Sequence, residues 1–249
     1  MRVLTIAGSD SSGGAGVAQD FRTLEAFGVE PVCAVTSVTA QGRGGLVARH
    51  DVPPEVVASQ IEAGLRLGVR AVKTGMLANG AIVDVVARAL SGAAIEDIVV
   101  DPVMLASSGG RLLDEDAVQT LVDLLIPLAS VITPNTDEAA ALLGTRVTTL
   151  SEQRDVARNL MKLGARAVIV TGGHMAGDEI IDVGFDGSSE FLVRGTRVLA
   201  EDVHGTGCMY SAALIAGFAK DIGIAESAQR ARDYVEKVLR ERSANQPAR

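Results

Sequence analysis

The chain has 249 residues, a formal net charge of −8, 47% hydrophobic residues and only 3% aromatics, with no Trp. No basic stripe is present, which excludes a nucleic-acid backbone as the expected partner, and no apolar run is long enough to span a bilayer. A core built from Val, Leu, Ile and Ala suits a parallel sheet buried on both faces.

The N-terminus, Met1 to Gly8, lacks the apolar h-region of a leader, and residues 3–7 predict a buried strand. A glycine-rich loop over 8–14 and a helix over 15–27, closed by Gly28, follow. Residues 32–39 predict a second strand, with Cys33 inside it as a small buried hydrophobe, and residues 46–52 a short third one. With only one further cysteine, Cys208, no disulfide framework is implied, and a reduced, cytoplasmic setting is expected. Pro53-Pro54 opens a helix running to about residue 67, with Gly68 after it. Strands are predicted at 69–73, 98–101 and 131–133, separated by helices over 81–90 and 115–125. Helices over 136–143 and 152–163, the second with Ser151 as N-cap, lead to a strand at 167–170. Residues 180–185 and 190–193 read as a hairpin across Asp186-Gly187. Helices over 207–221 and 225–242 follow, and residues 243–249 read as a frayed tail.

This alternation predicts one α/β domain over residues 1–249, a mainly parallel sheet covered on both faces with an antiparallel edge hairpin. Ligands of such sheets bind at the carboxyl ends of the strands. The unusual residues fall there: Gly8, Asp10, Gln41, Lys73, Asp101, Asn135 and Gly172.

Three patterns carry chemistry. In His204-Gly205-Thr206-Gly207-Cys208 two glycines precede a small, apolar helix. Backbone N–H groups converging at a helix N-terminus form a hole for a phosphate or a developing phosphoryl anion. The plainer reading is a turn that merely starts a helix. A thiol in that first turn tends towards a lowered pKa and the role of base or nucleophile, although an isolated Cys is more often a small hydrophobe. The second pattern, residues 7–16, brings Gly8, Gly13, Gly14 and Gly16 after the first strand. It is neither a dinucleotide fingerprint nor a P-loop, since Gln19 stands where the third Gly belongs and Val72 precedes Lys73-Thr74. Asp20, on the next helix, faces either the cleft or solvent. The third pattern is the pair Asp101 and Glu138 near strand ends, suited to Mg²⁺ held by one or two carboxylates plus phosphates. Each alone also reads as a turn or helix cap. The three histidines show no zinc spacing, and no G-x-S-x-G elbow occurs.

Taken in order, Ala7 to Gly16, Lys73-Thr74-Gly75-Met76-Leu77, Asp101-Pro102-Val103-Met104, Thr133-Pro134-Asn135-x-x-Glu138, Gly172-Gly173-His174 and His204 to Cys208 resemble the hydroxymethylpyrimidine and phosphomethylpyrimidine kinases of the ribokinase superfamily. The resemblance implies a three-layer α/β/α fold, ATP and Mg²⁺, and a homodimer. It implies a pyrimidine substrate near Gly8, Asp20, Gln41, Met76 and Val103, and nucleotide contacts at Asn135, Thr171, Gly173 and His204. Gly205, Thr206, Gly207 and Cys208 would form the catalytic anion hole, and Asp101 and Glu138 would orient the metal. Two residues depart from the family: Thr171 stands where a Lys is common, and Gly42 follows Gln41 where an Asn is usual. A missing cation at 171 implies weaker phosphate binding or slower transfer. The family's C-terminal Gly-rich motif does not occur before Arg249. Arg43 reads as a solvated loop charge rather than a phosphate ligand. Two alternatives stand beside this one: a pyridoxal kinase, with a similar Cys-bearing hole, and a pyrimidine-binding module with little catalysis.

Overall fold

Leu4 and Ile6 on one side, and Val3 and Thr5 on the other, are all fully buried, so the first strand needs cover on both faces. The computed structural model describes residues 1–42, 45–106, 109–200 and 204–244. Its strands are β1 (Arg2–Asp10), β2 (Glu30–Gly42), β3 (Gly45–Asp51), β4 (Ala71–Thr74), β5 (Asp97–Val100), β6 (Val131–Ile132), β7 (Val168–Val170), β8 (Glu179–Phe185) and β9 (Glu190–Thr196). They form one sheet of order β3-β2-β1-β4-β5-β6-β7-β8-β9. The strands from β2 to β7 in that order are parallel, while β3 at one edge and the β8-β9 hairpin at the other are antiparallel.

The helices are α1 (Gly16–Ala26), α2 (Pro54–Leu65), α3 (Gly80–Ser91), α4 (Ala117–Thr120), α5 (Thr136–Leu143), α6 (Leu150–Leu160), α7 (Thr206–Phe218) and α8 (Ile224–Ala244). Leu4, Val72, Val100 and Ile132 pack under α2, α3, α5 and α6, whereas Val3, Ala71, Val99 and Val131 pack under α1, α7 and α8. The expected three layers are present. Every residue of α7 from Met209 to Gly217 is buried, so this helix needs no solvated polar face, which explains its largely apolar sequence.

Three local expectations change. The strand predicted over 3–7 continues through Gly8 and Ser9 to Asp10, with a register shift against β2 between Ala7 and Ser9. The helix predicted over 115–125 breaks up: α4 widens into a π turn over Leu121–Leu125 and tightens into a 3₁₀ turn over Ile126–Leu128. Pro127 has no N–H to offer the preceding turn. Finally, α6 is capped by Thr149, not Ser151: the Thr149 hydroxyl accepts the Glu152 N–H at 3.2 Å, and the Glu152 carboxylate accepts the Thr149 N–H at 3.0 Å. Thr149→Ala should therefore cost about 1 kcal/mol in urea unfolding, and Ser151→Ala less than about 0.5 kcal/mol. Equal losses at both positions would contradict this cap.

Candidate active site

The carboxyl edge of the sheet opens into a cavity of about 540 Å³. Gly8 and Asp10 enter it from β1, Gln41 from β2 and Met76 from beyond β4. Asp101 and Val103 follow β5, Thr133 and Asn135 follow β6, and Thr171 and Gly173 follow β7. Strand order thus sets Gln41 and Gly8 towards one end and Asn135 and Thr171 towards the other, with Asp101 between. Gly205 caps α7 with φ of 77°, and a Cβ there would stand 1.9 Å from the Gly14 carbonyl oxygen, so only Gly fits. No side chain among the described residues caps this helix end, and Gly205, Thr206, Gly207 and Cys208 all line the cavity. The mouth lies over Asp101, whose Oδ2 is 3.8 Å from where a Cβ on Gly207 would be and accepts a 2.8 Å hydrogen bond from Ser211, one turn on.

Two carboxylates face the middle of this cavity. Glu138 closes a capping box on α5: its Oε2 accepts the Asn135 N–H at 3.0 Å, while Asn135 Oδ1 accepts the Glu138 N–H at 2.9 Å. Burial, and then the nearby negative charge of Asp101, push the Glu138 carboxyl up to about 8. Burial likewise raises Asp101, opposed by the Lys73 ammonium and the Ser211 hydroxyl. Beside them, the buried Thr133 hydroxyl has no partner among the described residues. Two hard oxygen donors that repel each other, with an orphaned hydroxyl alongside, fit a small divalent cation completed by ligand phosphates and waters. No group of three or more His, Cys, Asp or Glu side chains suited to a metal occurs among the described residues.

The profile of the phosphomethylpyrimidine kinase family matches residues 10–247. The chain belongs to the phosphomethylpyrimidine kinase family. It is therefore a phosphotransferase. It is 40% identical over 240 residues to a hydroxymethylpyrimidine/phosphomethylpyrimidine kinase of Rhizobium meliloti, covering 95% of this chain and 89% of the relative. A bifunctional thiamine biosynthesis protein of Geobacter sulfurreducens is 38% identical over 96% of this chain, which spans 49% of that longer protein. Among solved structures, a phosphomethylpyrimidine kinase of Clostridium difficile superposes with TM-score 0.85 at 32% identity, covering 96% of this chain and 99% of that one. A Staphylococcus aureus pyridoxal kinase, solved with ADP, superposes with TM-score 0.89 at 29% identity, covering 96% and 87%.

Against the family pattern, most expected site residues line the one cavity, but three expectations need correction. Asp20 neither faces the cleft nor meets solvent: it is fully buried, its two oxygens 2.9 Å from the Lys73 ammonium, with the Thr5 hydroxyl donating at 2.5 Å. The Cys208 thiol is not lowered by the helix terminus; burial pushes it up to about 12, against the opposing pull of Lys73. His204 joins the pyrimidine side rather than Asn135 and Thr171: its Nε2 lies 2.8 Å from Asp10 Oδ2 and 3.2 Å from Gln41 Nε2. Arg43 lies outside the described residues. Sequence reasoning set Asp10 among the strand-end residues but gave it no specific role, and gave no site role to Ser211 or Arg197. Asp10 had a local signal, Ser12 two residues on, whose N–H it accepts at 2.9 Å. Burial alone would raise the Asp10 carboxyl, but this amide, His204, the Ser12 hydroxyl and the Ala15 amide hold it below its ordinary value.

Breaking the buried Asp20–Lys73 pair by Lys73→Met should cost about 3–5 kcal/mol in urea unfolding. A near-neutral change would return Asp20 to the cleft. The Glu138 carboxyl gives a pH signature in the cation-free protein. Its folded pKa of about 8 exceeds the ordinary 4.5, so its contribution to stability is complete below 4.5 and is lost as pH rises through 8. The melting temperature of Glu138→Gln should therefore gain on the natural protein from pH 4.5 upwards and level off past 8. A gap independent of pH would contradict the raised carboxyl.

Proposed function

We propose that this chain transfers the γ-phosphoryl group of ATP to the hydroxymethyl oxygen of 4-amino-5-hydroxymethyl-2-methylpyrimidine, to the corresponding phosphate of its monophosphate, or to both, in thiamine biosynthesis. One observation carries the reading: the uncapped mouth of α7 opens over Asp101, midway between Gln41 and Gly8 at one end of the cavity and Asn135 and Thr171 at the other. A phosphoryl group passing between two bound molecules needs stabilised negative charge at that midpoint. On this reading Met76 and Val103 cover the ring, Gln41 supplies a polar partner, and the α7 amides hold the transferred group. Asp101 and Glu138 hold Mg²⁺, which neutralises phosphate charge when bound. The reading also takes the protein to be cytoplasmic, without a nucleic-acid partner, and a homodimer. Val47, exposed on edge strand β3, supplies apolar surface for such pairing. No helix among the described residues is long and apolar enough to cross a membrane.

Because the Cys208 thiol is raised to about 12, it is protonated near neutral pH in the free protein and is not poised as a base. Cys208→Ala should lower kcat by less than the roughly 100-fold that loss of a general base costs, with KM for the pyrimidine unchanged. A larger loss would restore the thiolate role. The deciding assay gives purified protein Mg-ATP with the pyrimidine alcohol, its monophosphate or pyridoxal, and follows ADP and phosphorylated product. Turnover of either pyrimidine above pyridoxal supports the proposal. Preference for pyridoxal would move the chain to the second reading, which the superposition on a pyridoxal kinase keeps in view. Tight pyrimidine binding without product would make it a binding module.

A further inference from the structure

From its middle to its nucleotide end the cavity is lined by carboxylates. Asp101, Asp137 and Glu138 all line the cavity, and Thr171, also in its wall, brings no charge. The candidate cations are nearly all engaged by carboxylates. Arg232 is held by fully buried Asp182, with Nε 3.0 Å from Oδ2 and Nη2 2.6 and 2.7 Å from the two oxygens. His174 Nδ1 lies 2.8 Å from Asp137 Oδ2. Lys73 does not line the cavity and is paired with Asp20. Arg197 differs. It lines the cavity, is half-buried, and has no carboxylate partner among the described residues.

Its guanidinium is held by main-chain oxygens. Nη1 donates to the Gly173 carbonyl at 2.8 Å, Nε donates to that of Gly177 at 2.6 Å, and Nη2 donates to that of Met175. These carbonyls fold the turn over 173–177 around the guanidinium, and Gly173 and His174 of that turn line the cavity. The turn is also tied at its start, where the Gly172 N–H donates to Asp182 Oδ1 at 2.9 Å. A guanidinium has five N–H groups in a planar fork, of which three are used here, leaving one on each terminal nitrogen. Neutral carbonyls orient the charge without cancelling it. An arginine fixed this way is prepared to meet phosphate oxygens.

We infer that Arg197 is a nucleotide-binding cation of this chain, shaping the turn over 173–177 and offering its two remaining N–H groups to a phosphate of the bound nucleotide. The inference rests on the kinase reading of the cavity, but its test does not depend on the acceptor. ADP and adenosine are titrated by calorimetry into the full chain and into Arg197→Gln and Arg197→Lys. Arg197→Gln should weaken ADP about tenfold or more and adenosine by less than about threefold, with Arg197→Lys between, since only ADP carries phosphate charge. In turnover, KM for ATP should rise while KM for the pyrimidine stays within about twofold, and Thr171→Lys added to Arg197→Gln should recover part of the loss. If Arg197→Gln fails to fold, Arg197→Lys carries the same comparison. Equal weakening of ADP and adenosine, or no weakening of ADP, overturns the inference while leaving the kinase reading intact. A natural protein that binds no ADP overturns both.

Discussion

The site depends on the close approach of two glycine-bearing loops. Gly205 sits against the Gly14 carbonyl with a backbone conformation that ordinary residues avoid, and Gly16, at φ of 60°, sits so close to the Gly8 carbonyl that a Cβ would fall 2.2 Å from its oxygen. The loop after β1 and the entrance to α7 are therefore one interlocked unit, although almost two hundred residues of chain separate them. Because Gly, not Ser or Asp, occupies the N-cap, the first-turn amides of α7 have no capping side chain among the described residues, and the helix end stays open on the cavity. A capping side chain there would satisfy the helix and close the site.

Around that opening, charge is arranged by burial rather than by exposure. Lys73 and Asp20 lie fully buried as a pair behind the site, and the ammonium is held strongly in its charged form by Asp20 despite the cost of burial. Asp101 and Glu138 face the cavity with carboxyls raised by burial, and the Glu138 proton, held up to about 8, is the one an arriving cation would displace. The Ser211 hydroxyl fixes the direction of Asp101 from within α7 itself, so the same helix presents its amides and orients the carboxylate beneath them. Helix and carboxylate therefore belong to one rigid body, as a site that stabilises moving charge without rearranging requires.

The fold was largely legible because its determinants are local. Strands buried on both faces read as short apolar runs, and α5 begins and ends where Asn135, Glu138 and Gly144 require. The break after α4 was not legible, since Pro127 lies beyond the stretch whose helical period is otherwise intact. Within the site, residues at strand ends were legible from position alone. Asp20 was not, because its partner lies 53 positions away and nothing near it in sequence signals burial. The thiol of Cys208 was misjudged for a related reason: the helix terminus is visible in sequence, but the burial that outweighs it is assembled from distant segments. Arg197 gave no sequence signal, because its role comes from carbonyls about twenty residues upstream.

The central claim is that the first-turn amides of α7 receive the group in transfer. A crystal structure of the protein with ADP, the pyrimidine alcohol, Mg²⁺ and aluminium fluoride, which mimics a planar phosphoryl group, tests it most directly. The account expects the fluoride group against the Gly207 and Cys208 N–H groups at about 3 Å, in line with the alcohol oxygen. A fluoride group bound elsewhere in the cavity, with those amides facing only water, would contradict it.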